Sequence, residues 1–128
     1  MKLLLDTHSF LWFIGGSPRL SSSARILIED PSNDAFLSVA SLWEMAIKVS
    51  LHKLTLAQSF ETFIPQQLSL NRIELLDITI RQAAVITTLP FHHRDPFDRL
   101  LIAQAQAEEM PIVSGDTAFD AYTITRLW

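Results

Sequence analysis

The chain has 128 residues, 48% of them apolar and 19% charged, with 14 acidic side chains against 10 basic ones. That length predicts one domain over residues 1–128, able to bury roughly two-thirds of the surface it would expose unfolded. The apolar content and a net charge of −4 exclude intrinsic disorder. The acidic balance excludes nucleic-acid binding by bulk positive charge, so such a function needs a cation or a local basic patch. The lack of cysteine excludes a disulfide scaffold, thiolate-bound zinc and thiol catalysis, and fits a cytoplasmic setting. No apolar run approaches the roughly 18 residues of a membrane span. Asp6 directly after Leu3-Leu4-Leu5 does not fit a signal peptide.

In chain order, residues 2–5 predict a buried strand ending at Asp6, and 8–14 a helix broken by Gly15-Gly16-Ser17-Pro18. Ser21 to Ser23 predict the cap of a helix over about 22–29, stopped before Pro31. A second strand is expected over 34–39. A helix over 41–51 follows, with Trp43, Ile47 and Leu51 at helical spacing, and all three tryptophans are expected in the core. Another helix spans about 57–69, with Pro65 as a kink or break. Ile73 to Ile78 reads as a third strand and 79–88 as a helix stopped by Pro90. After a polar loop at 91–95, Pro96 opens a strong helix to about Glu109, with Phe97, Leu100, Leu101 and Ala105 on one side. Pro111 to Ser114 is a fourth strand, and Ile124 to Trp128 predicts an edge strand. Strands alternating with helices predict an α/β fold with a parallel sheet covered on both faces.

In such sheets ligands bind outside the carboxyl ends of the strands. Four acids are expected there: Asp6 after the first strand, Glu44 in the first turn of the helix after the second, Asp98 in the first turn of the helix after the polar loop, and Asp116 after the fourth strand. Each also fits a local role. Ser41-x-x-Glu44 matches a capping box, Asp95-Pro96 an N-cap with Pro at N1, Asp116 a cap for a helix over 117–122, and Asp6 an Asx-turn. Taken together, four converging carboxylates would repel one another unless a cation joined them. Oxygen-only ligands select a hard ion, Mg²⁺ or Mn²⁺, and such a site suits phosphoryl chemistry. His92-His93 is a poor metal pair because the two are adjacent; loop polarity, then phosphate contact, is the expected role. His8 reads as a capping or packing residue.

Leu3-Leu4-Leu5-Asp6-Thr7-His8, Ser38-x-x-Ser41-Leu42-Trp43-Glu44 with Lys48, His93 to Ala105 around Asp95-Pro96-Phe97-Asp98-Arg99, and Val113-Ser114-Gly115-Asp116 together resemble PIN-domain ribonucleases of the VapC type. Those are the toxins of type II toxin–antitoxin pairs. The resemblance covers the whole chain, and the run from Asp95 to Ala105 is its most specific part. It implies a three-layer α/β/α sandwich with a mainly parallel sheet, and Mg²⁺- or Mn²⁺-dependent cleavage of RNA. It also implies a homodimer and inhibition by a small antitoxin protein. Matched by motif, Asp6, Glu44, Asp98 and Asp116 are the catalytic acids, with Asp6, Asp98 and Asp116 as the metal ligands. Asp95 reads as the cap that sets its helix, and Thr7 and Ser114 as residues that orient water or acids. The alternative is a PIN-fold binding or regulatory module with weak or no catalysis. A phosphoacceptor receiver domain shares the alternation but needs a late Lys, and none follows Lys53.

Overall fold

The computed structural model describes residues 1–128. Five strands form one parallel sheet: β1 (Lys2–Leu5), β2 (Asp34–Ser38), β3 (Ile73–Leu76), β4 (Ile112–Val113) and β5 (Arg126–Leu127), in the order β3-β2-β1-β4-β5. Parallel neighbours need crossovers, and the helices supply them: α1 (Thr7–Ile14) and α2 (Ser22–Glu29) between β1 and β2, α3 (Val39–Ser50) and α4 (Phe60–Leu70) between β2 and β3, α5 (Ile80–Ile86) and α6 (Pro96–Glu108) between β3 and β4. A 3₁₀ turn over Thr117–Ala121 leads into β5.

The period-2 alternation of the strands divides the core into two layers. Leu3 and Leu5 of β1, Ala35 and Leu37 of β2 and Val113 of β4 pack with Phe10, Ala24, Ile28, Met45 and Ile64 on one face. Leu4 and Ile112 point the other way, to Leu101, Ile102 and Ala105 of α6 and to Phe119 and Tyr122, with Phe36 of β2 half-buried against that layer. The chain is therefore a three-layer α/β/α sandwich. No helix is long and apolar enough to cross a membrane.

Strand register sets the level at which side chains leave the sheet. Leu5 sits beside Leu37 and Val113, so Asp6, Ser38 and Ser114 emerge at one level of the carboxyl edge. The chain moves from β1 outward to β2 and β3, then returns to place β4 on the other side of β1. The strand order reverses between β1 and β4, which opens a crevice at their carboxyl ends.

Several elements differ from the sequence expectation. The third helix begins at Val39, because the Ser38 hydroxyl accepts the Ala40 N–H at 3.0 Å. Glu44 is thus in the second turn, and Ser41 is a buried side chain within the helix rather than its cap. Ala40, Ser41 and Met45 form the buried face of α3, while Trp43 is 64% exposed and Leu51 is also exposed. β3 stops at Leu76, two residues short, and α4 starts at Phe60. In α6 the buried face runs through Leu101, Ile102 and Ala105, with Phe97 and Leu100 only half-buried. Pro65 lies inside α4 without ending it.

Candidate metal centre at the carboxyl edge

Asp6 is the first residue past β1 and caps α1, its Oδ1 accepting the Ser9 N–H at 2.8 Å. Its backbone N–H donates to the Val113 carbonyl at 3.2 Å, and the Ser9 hydroxyl donates to the same carbonyl at 2.9 Å. The end of β1 is thereby pinned to the end of β4, with the Asp6 carboxylate buried at the crevice.

Glu44 reaches the same region from α3. The Thr7 hydroxyl donates to Glu44 Oε1 at 2.6 Å and lies 2.9 Å from the Ser41 hydroxyl. Lys48, one turn on, holds its Nζ 3.3 Å from Glu44 Oε2. Both carboxylate oxygens therefore have partners, and the residue next to Asp6 supplies one of them.

Asp98 enters from the first turn of α6. That helix is started by Asp95, whose Oδ1 accepts the N–H groups of Phe97 and Asp98 at 2.8 and 3.0 Å, followed by Pro96 at the first helical position. Burial pushes the Asp98 carboxyl up to about 7, and the negative charges of Asp95, Asp6 and Glu44 push in the same direction while His93 opposes them. Asp6 and Glu44 are near enough for their charges to act on Asp98, but of the four acids only Asp98 and Asp116 join the close cluster of candidate ligand atoms. Asp116 follows β4 and starts the 3₁₀ turn, its Oδ1 accepting the Ala118 N–H at 2.9 Å while its own N–H donates to the buried Ser114 hydroxyl. A cavity of about 280 Å³ opens between Asp6 and Asp116, walled by Trp12, Trp128 and Arg19. Gly115 brings the backbone close to that wall: a Cβ there would come within 2.9 Å of the Trp128 ring, which would have to shift.

His93 completes the arrangement, a role its sequence position does not reveal. Its Nε2 lies 3.1 Å from Asp98 Oδ2 and 3.8 Å from Asp116 Oδ2. The candidate ligand atoms of His93, Asp98 and Asp116 all fall within 4.8 Å of one another. Adjacency in sequence argues against His92-His93 as a metal pair, but it says nothing of one ring meeting acids from elsewhere in the chain. His8 packs on Trp12, with ring centroids 5.4 Å apart. Larger hollows of about 510 and 740 Å³ lie at the opposite, amino-terminal edge, around Asp34 and Glu74 and around Met1 and Pro111. The hollow around Asp34 and Glu74 is acidic too, but only at the carboxyl edge do three side chains, His93, Asp98 and Asp116, bring candidate ligand atoms within 4.8 Å of one another.

These donors fit a hard divalent cation. Carboxylates that enter from separate elements meet at one edge, and one of them is strained toward its protonated form. A doubly wound parallel sheet with an acidic cluster at its switch point defines the class. The PIN domain family model matches residues 3–124, and the chain belongs to that family. No curated protein matches it. Among solved structures it is similar to VapBC2 from Rickettsia felis bound to a DNA fragment from its promoter, with TM-score 0.72 and 17% identity over 99% of this chain and 98% of that one. VapBC-1 from nontypeable Haemophilus influenzae gives 0.68 and 16% over 99% and 97%. VapBC-5 from Mycobacterium tuberculosis, of the VapBC family of toxin-antitoxin systems, gives 0.61 and 19% over 98% of each chain.

Proposed function

We propose that this chain is a divalent-metal-dependent endoribonuclease, the toxin half of a VapC-type toxin–antitoxin pair. The observation that carries this reading is the approach of Asp98, from the first turn of α6, and Asp116, just past β4, with candidate ligand atoms within 4.8 Å. Asp6, Asp98 and Asp116 would hold Mg²⁺ or Mn²⁺, which would neutralise a phosphodiester and make water more acidic. Glu44 is the fourth catalytic acid: fixed by Thr7 and Lys48, it orients water at the cleft. Asp95 acts through the helix it caps, and Ser114 through the Asp116 backbone it accepts from. The chain works as a single domain and a homodimer in the cytoplasm, and RNA is its substrate.

Product ends test this reading. Incubation of RNA with the protein in Mg²⁺ or Mn²⁺ is expected to leave 5′-phosphate and 3′-hydroxyl ends, and EDTA is expected to abolish cleavage. Cyclic phosphate ends, or full activity in EDTA, would overturn it.

The partner follows from the solved VapBC relatives and from the charge of the cleft. A small antitoxin protein covers the crevice and sets an Arg or Lys against the acids. Its binding and Mg²⁺ binding then compete. Titration of the complex with Mg²⁺ is expected to weaken antitoxin affinity, and an affinity indifferent to Mg²⁺ would count against this arrangement.

A further inference from the structure

His93 stands at the centre of the acid cluster without being one of its oxygen ligands. The loop that carries it is clamped. The His93 N–H donates to the Tyr122 hydroxyl at 2.8 Å, and that hydroxyl donates to the Pro90 carbonyl at 2.7 Å. The buried Arg99 guanidinium donates to the carbonyls of Leu89, Pro90 and His93. Both backbone polar atoms of His93 are thus engaged, so the position of its ring is set by the fold. The ring is fixed further by the Asp95 N–H, which donates to Nδ1 at 3.2 Å.

That bond decides the chemistry of the other nitrogen. A neutral imidazole has one acceptor and one N–H. With Nδ1 accepting, Nε2 carries the proton, and a nitrogen that carries a proton has no lone pair for a metal. Nε2 is therefore the electropositive nitrogen of the ring, and it lies close to both carboxylates, 3.1 Å from Asp98 Oδ2 and 3.8 Å from Asp116 Oδ2.

We propose that His93 is a positioning residue of the metal centre: the electropositive Nε2 side of its clamped ring keeps the Asp98 and Asp116 carboxylates beside one another, and it does not itself ligate the cation. This rests on the metal-dependent reading of the same site. It deepens that reading by dividing the cluster into oxygen ligands and one nitrogen that orients them. Groups that orient metal ligands typically change metal affinity by about 10- to 100-fold when removed.

The test uses thermal melts of the full chain titrated with Mg²⁺ and with Mn²⁺, alongside RNA cleavage. His93→Gln keeps an amide N–H near the place of Nε2. His93→Asn keeps one nearer Nδ1, and His93→Leu keeps volume without a donor. Mg²⁺ affinity, read from the rise in melting temperature, is expected to fall at least tenfold in His93→Asn and His93→Leu. In His93→Gln it should stay within about threefold of wild type, and cleavage should follow the same order. If His93→Leu does not fold, the contrast between Gln and Asn carries the same information. Wild-type Mg²⁺ affinity in both His93→Asn and His93→Leu would overturn the proposal while leaving the nuclease reading intact. An equal loss in all three variants, greater for Mn²⁺ than for Mg²⁺, would make His93 a ligand and overturn it as well. A wild-type protein with no response to either ion and no cleavage would overturn both.

Discussion

Asp98 enters the cleft from the first turn of α6, where the helix dipole favours a negative charge, yet burial among Asp95, Asp6 and Glu44 pushes its carboxyl up to about 7. Without metal, the folded chain therefore keeps a proton that the unfolded chain releases between about pH 4 and 7. This group's contribution to stability is fully present below about pH 4 and is lost as the pH rises through 7. Asp98→Asn removes the charge and leaves the Asp95 cap intact. With the side chain 27% exposed, solvent screening reduces the gain. In EDTA at pH 7.5 the variant is expected to be more stable than wild type by roughly 1 kcal/mol, about 3–5 °C in melting temperature. The difference should vanish near pH 4. Cleavage should nonetheless fall by at least ~100-fold, because a ligand is lost. Paired melts at the two pH values check this, and a variant less stable than wild type at both would reject it. At this scale the sequence was readable wherever a role is local. Asp95-Pro96 predicts its own cap and Asp116 the cap of the turn after it, whereas Asp6, expected as an Asx-turn residue, is the N-cap of α1. Ser41-x-x-Glu44 misled because the capping-box spacing also occurs inside a helix. Ser38, three residues earlier, took the cap, leaving Ser41 beside Thr7 and Glu44 bonded to it.

Elements were legible where one face dominates and obscure where it does not. The leucines of β1, the Ser21 cap of α2 and the cap and extent of α6 follow from pattern and capping. In α3 the apolar spacing of Trp43, Ile47 and Leu51 identifies residues sharing a face, but periodicity cannot say which face turns inward. The inner face is instead the small and polar Ala40 and Ser41 with Met45, which leaves room for the Thr7 hydroxyl. The loop before α6 was equally hidden, since nothing local marks Arg99 as the residue that holds it. Arg99 is 5% exposed and donates to three carbonyls of residues 89–93, while its guanidinium stacks 4.0 Å from the Phe91 ring centroid. Replacing it by Met keeps an apolar stem and leaves the Leu89 and His93 carbonyls without this donor, while the Pro90 carbonyl keeps that of Tyr122. Arg99→Met is expected to destabilise the fold by about 2–3 kcal/mol and to cut Mg²⁺ affinity, because His93 loses its support. Urea unfolding in EDTA measures the first effect and Mg²⁺-titrated melts the second. A loss of stability below about 0.5 kcal/mol would mean that the loop is held by Tyr122 alone.

Across the whole molecule the ten bases are poorly disposed to hold a polyanion. Arg25, Lys48, Arg81 and Arg126 are paired with Glu29, Glu44, Glu108 and Asp120, and Arg99 is buried. Lys2 and Arg72 lie at the amino ends of β1 and β3, the edge opposite the acids. Lys53 is exposed just past the carboxyl end of α3, and Arg19, on the cavity wall beside Asp6 and Asp116, and Arg94, next to His93, are the cations left near the cleft. Two or three phosphate contacts from side chains release few counterions, and for single strands the logarithm of affinity falls by about 0.7 per contact for each decade of salt. The proposed RNA substrate should therefore bind with a shallow salt dependence, a slope of about −2 or less steep, and only when a divalent ion supplies the missing positive charge at Asp6, Asp98 and Asp116. Glu44→Gln, which slows cleavage without removing one of those three, allows the measurement in Mg²⁺ over a range of NaCl. Affinity should collapse in EDTA at any salt concentration. A slope steeper than about −4, with binding that survives EDTA, would mean that the chain grips RNA through a basic surface elsewhere and that the acidic crevice is not where the substrate sits.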